Sequence, residues 1–167
     1  MGFTALDGLP MGTRSGSLDA GVILWLQQQK GWDVDRVEHF LYEECGLKGL
    51  SGVSNDMRAL LASEAPLARL AVDYFVYHVA RTASALAASM SGIDAFVFTA
   101  GIGERSTEIR ARVLRRLAWL GFALDETANQ QGDPCLTTGV SAHPAYVIPT
   151  DEEIVIARHT LALIGVT

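Results

Sequence analysis

The chain has 167 residues, of which 49% are hydrophobic and 19% are charged, so it is long enough to bury a core and too apolar to be disordered. Nineteen acidic against thirteen basic residues give a net charge of -6, which argues against a nucleic-acid partner because phosphate backbones are bound by an excess of Lys and Arg. Cys45 and Cys135 are the only cysteines and lie far apart, which argues against a disulfide framework or a zinc site and favours a reducing cytoplasm.

The first third of the sequence predicts a loop followed by three helices. Residues 1–17 are rich in Gly, Ser and Thr and contain the turn sequence Asp-Gly-Leu-Pro, which is typical of an extended loop. Hydrophobic spacing then predicts helices over residues 18–29, 34–45 and 57–63. Gly31 is expected to end the first helix, the second is expected to stop before Gly46, and Ser54 or Asn55 is expected to cap the third.

The rest of the sequence predicts alternating helices and strands. A long helix is expected over residues 66–91, and the charged side chains within it argue against a membrane span. Runs rich in β-branched and aromatic residues predict buried strands at residues 93–99 and 145–148, each followed by a helix, over residues 106–120 and 151–163. One or two short strands are expected after Gly121. This alternation indicates an α/β fold with parallel strands, and residues 1–167 are predicted to form a single unit.

Two strand-to-helix junctions could bind a ligand. The first, Ala-Gly-Ile-Gly-Glu-Arg over residues 100–105, offers backbone N–H groups and a helix dipole that favour an anionic or nucleotide ligand, although glycine is common at any such turn. In the second junction, Thr150 and Glu153 have the spacing of a capping box. Asp151 and Glu152 would be favoured there simply by the helix dipole. A carboxylate at the end of a strand could instead hold Mg²⁺.

Arg14 is a third candidate. It lies in the sequence Met-Gly-Thr-Arg-Ser-Gly, with a glycine two residues away on both sides. Most loop arginines are solvated or form surface ion pairs, but a guanidinium fork can also match the oxygens of a phosphoryl group during its transfer. The four histidines show no metal-ligand spacing and suggest no catalytic set, so they are interpreted as structural or exposed.

Four blocks of sequence, taken together, resemble one family. The blocks are residues 1–4 with 11–16, residues 51–58, residues 101–104 and residues 149–153. They resemble, in the same order, motifs of the acetate/propionate kinase family. The resemblance implies the ribonuclease H-like fold that these kinases share with sugar kinases, actin and heat-shock chaperone ATPases, with this chain as the C-terminal domain. It also implies transfer of the γ-phosphoryl group of ATP to a short-chain carboxylate, with Mg²⁺, giving an acyl phosphate and ADP.

The resemblance also implies roles for individual residues. Arg14 would be the catalytic arginine that stabilises the phosphoryl group in flight, and Glu152 would be the carboxylate associated with magnesium. The residues implied to contact the nucleotide are Asp56, Met57, Arg58, Gly101, Ile102, Gly103, Glu104 and Arg105. The long helix over residues 66–91 would belong to the domain through which the family forms homodimers.

The chain departs from the family at one site position and matches only part of its length. Arg105 stands where the family usually has Asn, so an amide that donates and accepts is replaced by a cation that only donates. Rather less than half of the family's length is matched, which implies that the acyl pocket lies mostly outside this chain and that the chain alone turns over little or not at all. The alternatives are a non-catalytic remnant or dimerisation module of the same fold and, ranked last, a dinucleotide-dependent oxidoreductase.

Overall fold

The computed structural model describes residues 2–165, except for the side chain of Glu152. The contacts divide the chain into two compact units, residues 1–92 and residues 93–167. The expectation that residues 1–167 form a single unit stays a prediction. Within the described residues, no helix is both long and apolar enough to cross a membrane.

The first unit is helical. After turns and bends over residues 3–9, which confirm the predicted loop, the described helices are α1 (Ala20–Lys30), α2 (Val34–His39), a π-helical turn (Phe40–Glu44), α3 (Gly46–Ser51), α4 (Met57–Leu61) and α5 (Pro66–Ser89). The carboxylate of Asp19 caps α1, and Gly31 ends it in the left-handed conformation. The predicted stop at Gly31 is thereby confirmed.

Two details of the first unit differ from the prediction. The helix expected over residues 34–45 changes to π-helical geometry at Phe40, and Gly46 begins a further helix, α3, that the sequence pattern did not reveal. The cap of α4 is neither Ser54 nor Asn55 but Asp56, whose carboxylate accepts a hydrogen bond from the Arg58 amide at 2.9 Å. Ser54 instead accepts a hydrogen bond from the Asp56 amide, so it shapes the turn before the helix.

The core of the first unit forms around α5, against which α3 and α4 pack. The buried face of α5 carries several small residues, including Ala68 and Ala71, together with Val72 and Val76. Small side chains let neighbouring helices approach closely, and the predicted alanine-rich packing face is confirmed. The opposite face, which includes Leu70 and Tyr77, is about half exposed.

The second unit is an α/β arrangement. Its described elements are β1 (Phe96–Phe98), α6 (Ala100–Arg105), α7 (Thr107–Arg116), a 3₁₀ turn (Ala118–Leu120), α8 (Glu126–Gln131), β2 (Ala145–Val147) and α9 (Glu152–Leu163). The two strands are parallel, with Phe96 opposite Ala145 and Phe98 opposite Val147, which confirms the predicted parallel pairing. Their carboxyl ends therefore lie at the same edge of the sheet.

The second unit also contains elements that the sequence did not predict. The glycine turn is itself the short helix α6, and α8 was missed. The predicted helix over residues 106–120 keeps its α-helical geometry only to Arg116 and ends as a 3₁₀ turn. The short strands expected after Gly121 are present as two isolated antiparallel bridges, Leu124 to Thr137 and Cys135 to Tyr146.

Candidate functional site

In the first unit, the loop that carries Arg14 is held by backbone hydrogen bonds. The amide of Met11 donates to the carbonyl of Arg14 at 3.1 Å and closes the loop. The first amides of α3 then donate to the loop: Leu47 to the carbonyl of Met11 and Lys48 to the carbonyl of Gly12, both at 2.9 Å. Because the first N–H groups of a helix have no partner within it, α3 provides donors that fix the loop in place.

The side chain of Arg14 is exposed and rests on an aromatic ring. Its guanidinium carbon lies 5.9 Å from the centre of the Tyr42 ring, within the range of a cation–π contact. Tyr42 belongs to the π-helical turn, a rare geometry that is frequent at functional sites. Among the described residues, no carboxylate forms an ion pair with Arg14, so its five donors remain available to a ligand.

The turn before α4 lies beside the Arg14 loop. A methyl group on Gly12 would lie 3.2 Å from both Cβ and the carbonyl oxygen of Asn55, so the two segments touch. Asp56 forms an ion pair with Arg58 at 2.7 Å, and this hydrogen-bonded guanidinium holds the pKa of the Asp56 carboxyl below its ordinary value. The Arg58 side chain is 87% exposed, whereas Met57 is only 4% exposed. A ligand could therefore reach Asp56 and Arg58, but Met57 is buried as a whole residue.

In the second unit, the structure brings the two predicted strand-to-helix junctions together. One carboxylate oxygen of Glu104 accepts hydrogen bonds from the Thr150 amide at 3.0 Å and from the Thr150 hydroxyl at 3.2 Å, across 46 residues of sequence. The hydrogen bond from the Thr150 amide is the main cause that holds the pKa of Glu104 below its ordinary value. Glu104 is thus kept ionised and oriented.

The capping box predicted for Thr150 and Glu153 is wrong. The cap of α9 is Asp151, whose carboxylate accepts a hydrogen bond from the Ile154 amide at 2.9 Å. Thr150 instead donates its amide and its hydroxyl hydrogen to Glu104, so Glu104 takes the amide that Glu153 would bind in a capping box. Glu152 follows the cap as the first residue of α9; its side chain, predicted to associate with magnesium, lies outside the described residues.

An open cavity lies between these junctions. Its volume is about 380 Å³, and it is lined by Ala100, Gly101, Glu104, Arg105, Thr150, Asp151 and Glu153. This volume is at the lower end of the range for ligand sites. Three carboxylates and one guanidinium line it, so its charge favours a ligand that brings its own cation over a bare phosphate.

Two further observations concern the glycine segment, residues 100–105, which forms α6. Ala100 has a φ of 56°, a left-handed conformation that is uncommon for alanine and typical of strained functional segments. Arg105 is exposed at the end of α6.

In the described part of the chain, His, Cys, Asp and Glu side chains form no group of three or more that could hold a metal ion. Mg²⁺ at nucleotide sites, however, commonly uses only one or two carboxylates, completed by waters and phosphate oxygens.

Sequence reasoning missed one residue behind the glycine segment. Arg110 is 2% exposed, and its guanidinium donates to the carbonyl oxygens of Gly103 and Glu104. The signal in the sequence is an arginine directly beside Ile109 on a face of α7 that is otherwise apolar. Such a charge is rare in a core unless it has partners.

Comparison with known proteins agrees with the resemblance seen in the motifs. Residues 1–158 match the model of the acetokinase family. An acetate kinase of Nitrobacter hamburgensis is 61% identical over 164 residues, which are 98% of this chain and 41% of that protein. An acetate kinase of Methylocella silvestris is 52% identical over the same shares. The chain therefore spans about two-fifths of the length of the curated relatives it matches.

Solved structures show the same relationship. The crystal structure of Porphyromonas gingivalis acetate kinase matches with a TM-score of 0.89 and 32% identity, covering 98% of this chain and 43% of that one. A propionate kinase from Francisella tularensis matches with a TM-score of 0.89 and 38% identity, covering 95% of this chain and 41% of that one. These likenesses confirm the predicted α/β kinase fold. With its family model matched over residues 1–158 of 167, the chain belongs to the acetokinase family.

Proposed function

We propose that this chain provides the nucleotide and magnesium side of a short-chain carboxylate kinase, which transfers the γ-phosphoryl group of ATP to acetate, propionate or a similar acid. The products are an acyl phosphate and ADP. The observation that carries the proposal is the pair of hydrogen bonds from Thr150 to Glu104, which joins two strand-to-helix junctions around one cavity. In α/β folds, ligands bind at the carboxyl ends of parallel strands, where these junctions lie.

In the second unit, the backbone of residues 101–105 would approach the nucleotide. Gly101 is exposed and a methyl group there would meet no heavy atom within 4 Å, so the backbone at this position is open to a ligand. Arg105 is an exposed cation on the rim of the cavity, suited to a phosphate or to stacking on adenine. Ile102, Gly103 and Glu104 complete the proposed nucleotide segment.

The oxygen-rich lining of the same cavity fits magnesium. Mg²⁺ prefers carboxylate oxygens and usually keeps several waters, and Asp151 and Glu153 line the cavity on either side of Glu152 in the sequence. By resemblance, Glu152 is the proposed magnesium residue. When bound, the ion supplies positive charge that neutralises the phosphate oxygens. Residues 101–105 would orient the nucleotide.

In the first unit, Arg14 is the proposed catalytic residue. Its guanidinium is exposed, lacks a carboxylate partner among the described residues and rests on Tyr42, which limits the positions it can adopt. The planar fork of an arginine matches phosphoryl oxygens and stabilises charge that develops during transfer. Asp56, Met57 and Arg58 are proposed by resemblance to contact the nucleotide. Asp56 and Arg58 are accessible to a ligand, whereas Met57 is buried and would have to become accessible when the nucleotide binds.

The proposed partners are a short-chain carboxylate and a second copy of the chain. Leu67, Leu70 and Tyr77 are about half exposed on one face of α5, and an exposed apolar surface is typical of a face that pairs with another protein. Because the chain spans about two-fifths of its relatives, the carboxylate pocket is proposed to need residues beyond it. Turnover by the chain alone should be slight or absent, since phosphoryl transfer depends on a complete set of positioned charges.

Calorimetric titration of the chain with Mg-ADP tests the nucleotide side directly. The wild type should bind, and Glu152→Gln should weaken binding when Mg²⁺ is present but change it little with ADP in EDTA. Arg105→Asn restores the side chain usual in the family and should retain or strengthen binding. Glu126→Gln is a matched control, because it removes one negative charge from an exposed residue of the same unit that does not line the cavity. The proposal is wrong if the wild type does not bind, or if Glu152→Gln behaves as the control does.

A further inference from the structure

Arg110 is a buried cation whose partners are all neutral. Its side chain is among the largest in the described chain that are almost completely buried. Its Nε donates to the side-chain oxygen of Asn129 at 2.8 Å, and one terminal nitrogen donates to the Asn129 carbonyl at 3.1 Å. The other terminal nitrogen donates to the carbonyls of Gly103 at 3.1 Å and Glu104 at 2.7 Å. In residues 2–165, apart from the side chain of Glu152, no carboxylate pairs with it.

Apolar packing alone does not explain an arginine at this position. Moving a charge out of water is costly unless it is paired, and burial lowers the pKa of Arg110, which shows that the protein environment disfavours the charged form. An apolar side chain on the buried face of α7 would pack without that cost. The arginine is explained by the four oxygen atoms that it holds.

Two of those oxygens belong to the segment proposed to contact the nucleotide. Gly103 and Glu104 lie near the C-terminal end of α6, where helix carbonyls lack partners within the helix. A helix of six residues is marginal on its own, because too few hydrogen bonds repay its nucleation. The guanidinium supplies the missing donors and ties α6 to Asn129 in α8, and the Asn129 amide group in turn donates to the carbonyl of Thr107.

We propose that Arg110 is a positioning residue of the nucleotide site. Its fork fixes the backbone of α6 from behind, which directs Glu104 to Thr150 and presents residues 101–105 to the cavity. The relevance to nucleotide binding rests on the proposed function, but the effect on α6 does not. Lysine cannot replace it, since one ammonium nitrogen cannot reach acceptors that three guanidinium nitrogens share.

Amide hydrogen exchange of the whole chain tests this proposal without a ligand. The reporters are the Ser106 amide, bonded to the Ile102 carbonyl, and the Thr150 amide, bonded to Glu104. Arg110→Lys and Arg110→Met should speed exchange at both reporters by about tenfold or more, as expected for the loss of hydrogen bonds to a charged donor. The Ile148 amide, bonded to Phe98 across the sheet, should change much less. A purely structural arginine would instead speed exchange at the sheet and the reporters alike.

The matched control is Arg115→Met, which removes the same charge from the same helix at an exposed position. It should leave both reporters unchanged. If the Arg110 variants leave the reporters unchanged, or shift the sheet amide equally, the proposal is refuted. If neither Arg110 variant folds, hydrogen exchange of the wild type in increasing urea still tests the proposal. The backbone amides of Ser106 and of Asn129 in α8 should lose their protection together as urea is added. Almost no protection at Ser106 alone would contradict the proposal.

Mg-ADP titration of the same variants separates this inference from the proposed function. A wild type that fails to bind refutes the nucleotide site, while the exchange pattern still decides whether Arg110 holds α6. If the wild type binds, Arg110→Lys should weaken binding about tenfold, and Arg115→Met should not. Loosened α6 amides with unchanged ADP affinity would show that Arg110 holds the helix without positioning the site.

Discussion

Replacement of Gly46 by alanine should displace the loop that carries Arg14. Gly46 has a φ of 61°, in the left-handed region, and begins α3. A methyl group there would overlap the carbonyl oxygen of Met11 and lie 2.7 Å from the carbonyl oxygen of Arg14. Both neighbours are backbone atoms, so no change of rotamer relieves the overlap. Either the loop or the start of α3 must move.

The size of the effect follows from three terms. The left-handed conformation costs alanine roughly 1–2 kcal/mol relative to glycine. Movement of the loop breaks or lengthens the hydrogen bonds from the first amides of α3 to Met11 and Gly12, each of which contributes about 1 kcal/mol. The smaller entropy of an unfolded alanine returns about 0.5–1 kcal/mol. We expect Gly46→Ala to lower the free energy of unfolding of the first unit by about 3 kcal/mol.

Gly52→Ala is the control, because Gly52 has a nearly identical φ of 63° at the other end of α3 and a methyl group there would meet no atom within 4 Å. Only the conformational cost remains, so the loss should be about 1 kcal/mol or less. Urea unfolding followed by far-UV circular dichroism measures both variants. Equal losses for the two glycines would refute the argument that α3 grips the Arg14 loop.

Three smaller predictions concern strain and protonation. Ala100→Gly should raise the free energy of unfolding by about 0.5 kcal/mol in urea, because relief of left-handed strain outweighs the added entropy of unfolded glycine. The ionised form of Glu104 is favoured by the Thr150 amide, so their contact should persist above pH of about 4.3 and be lost as acid protonates Glu104, seen as a shift of the Thr150 amide resonance. Burial, and secondly Arg81, lower the pKa of His78, so the folded state prefers neutral His78 and thermal stability should fall as the pH drops below about 6.5.

Each of these has a clear contrary outcome. Destabilisation by Ala100→Gly would show that the left-handed alanine is not strained. Glu104→Gln should abolish the acid shift of the Thr150 resonance, and an unchanged shift would assign it to another group. His78→Gln should flatten the loss of melting temperature between pH 7 and pH 5; an undiminished loss would mean that other groups cause it.

The sequence predicted those elements whose signals are local. The end of α1 at Gly31, the long helix α5 and the two parallel strands follow from hydrophobic spacing and from residue types that suit only a few backbone conformations. The pairing of these strands follows from the alternation of strand and helix. None of these predictions needs knowledge of distant contacts.

The features that were missed depend on distant contacts. Gly46 resembles a helix stop, and only the Met11 and Arg14 carbonyls beside it show that it starts α3. Thr150 has the spacing of a helix cap, but its amide and hydroxyl donate to a carboxylate 46 residues away. Asp151 caps the helix instead. Local propensity offers several partners for such residues, and tertiary packing selects one.

In both candidate segments, the Arg14 loop and α6, hydrogen-bond donors of the protein bind the backbone carbonyls. In the first unit, the amides of α3 bind the carbonyls of Met11 and Gly12; in the second, the guanidinium of Arg110 binds those of Gly103 and Glu104. A carbonyl oxygen that faced a phosphate would repel it, whereas N–H groups attract it. Occupying these carbonyls from the protein side therefore favours an anionic ligand at each segment. It follows that Arg110→Lys should weaken the binding of Mg-ADP more than that of adenosine, and an equal loss for both would place its effect on the nucleoside rather than the phosphates.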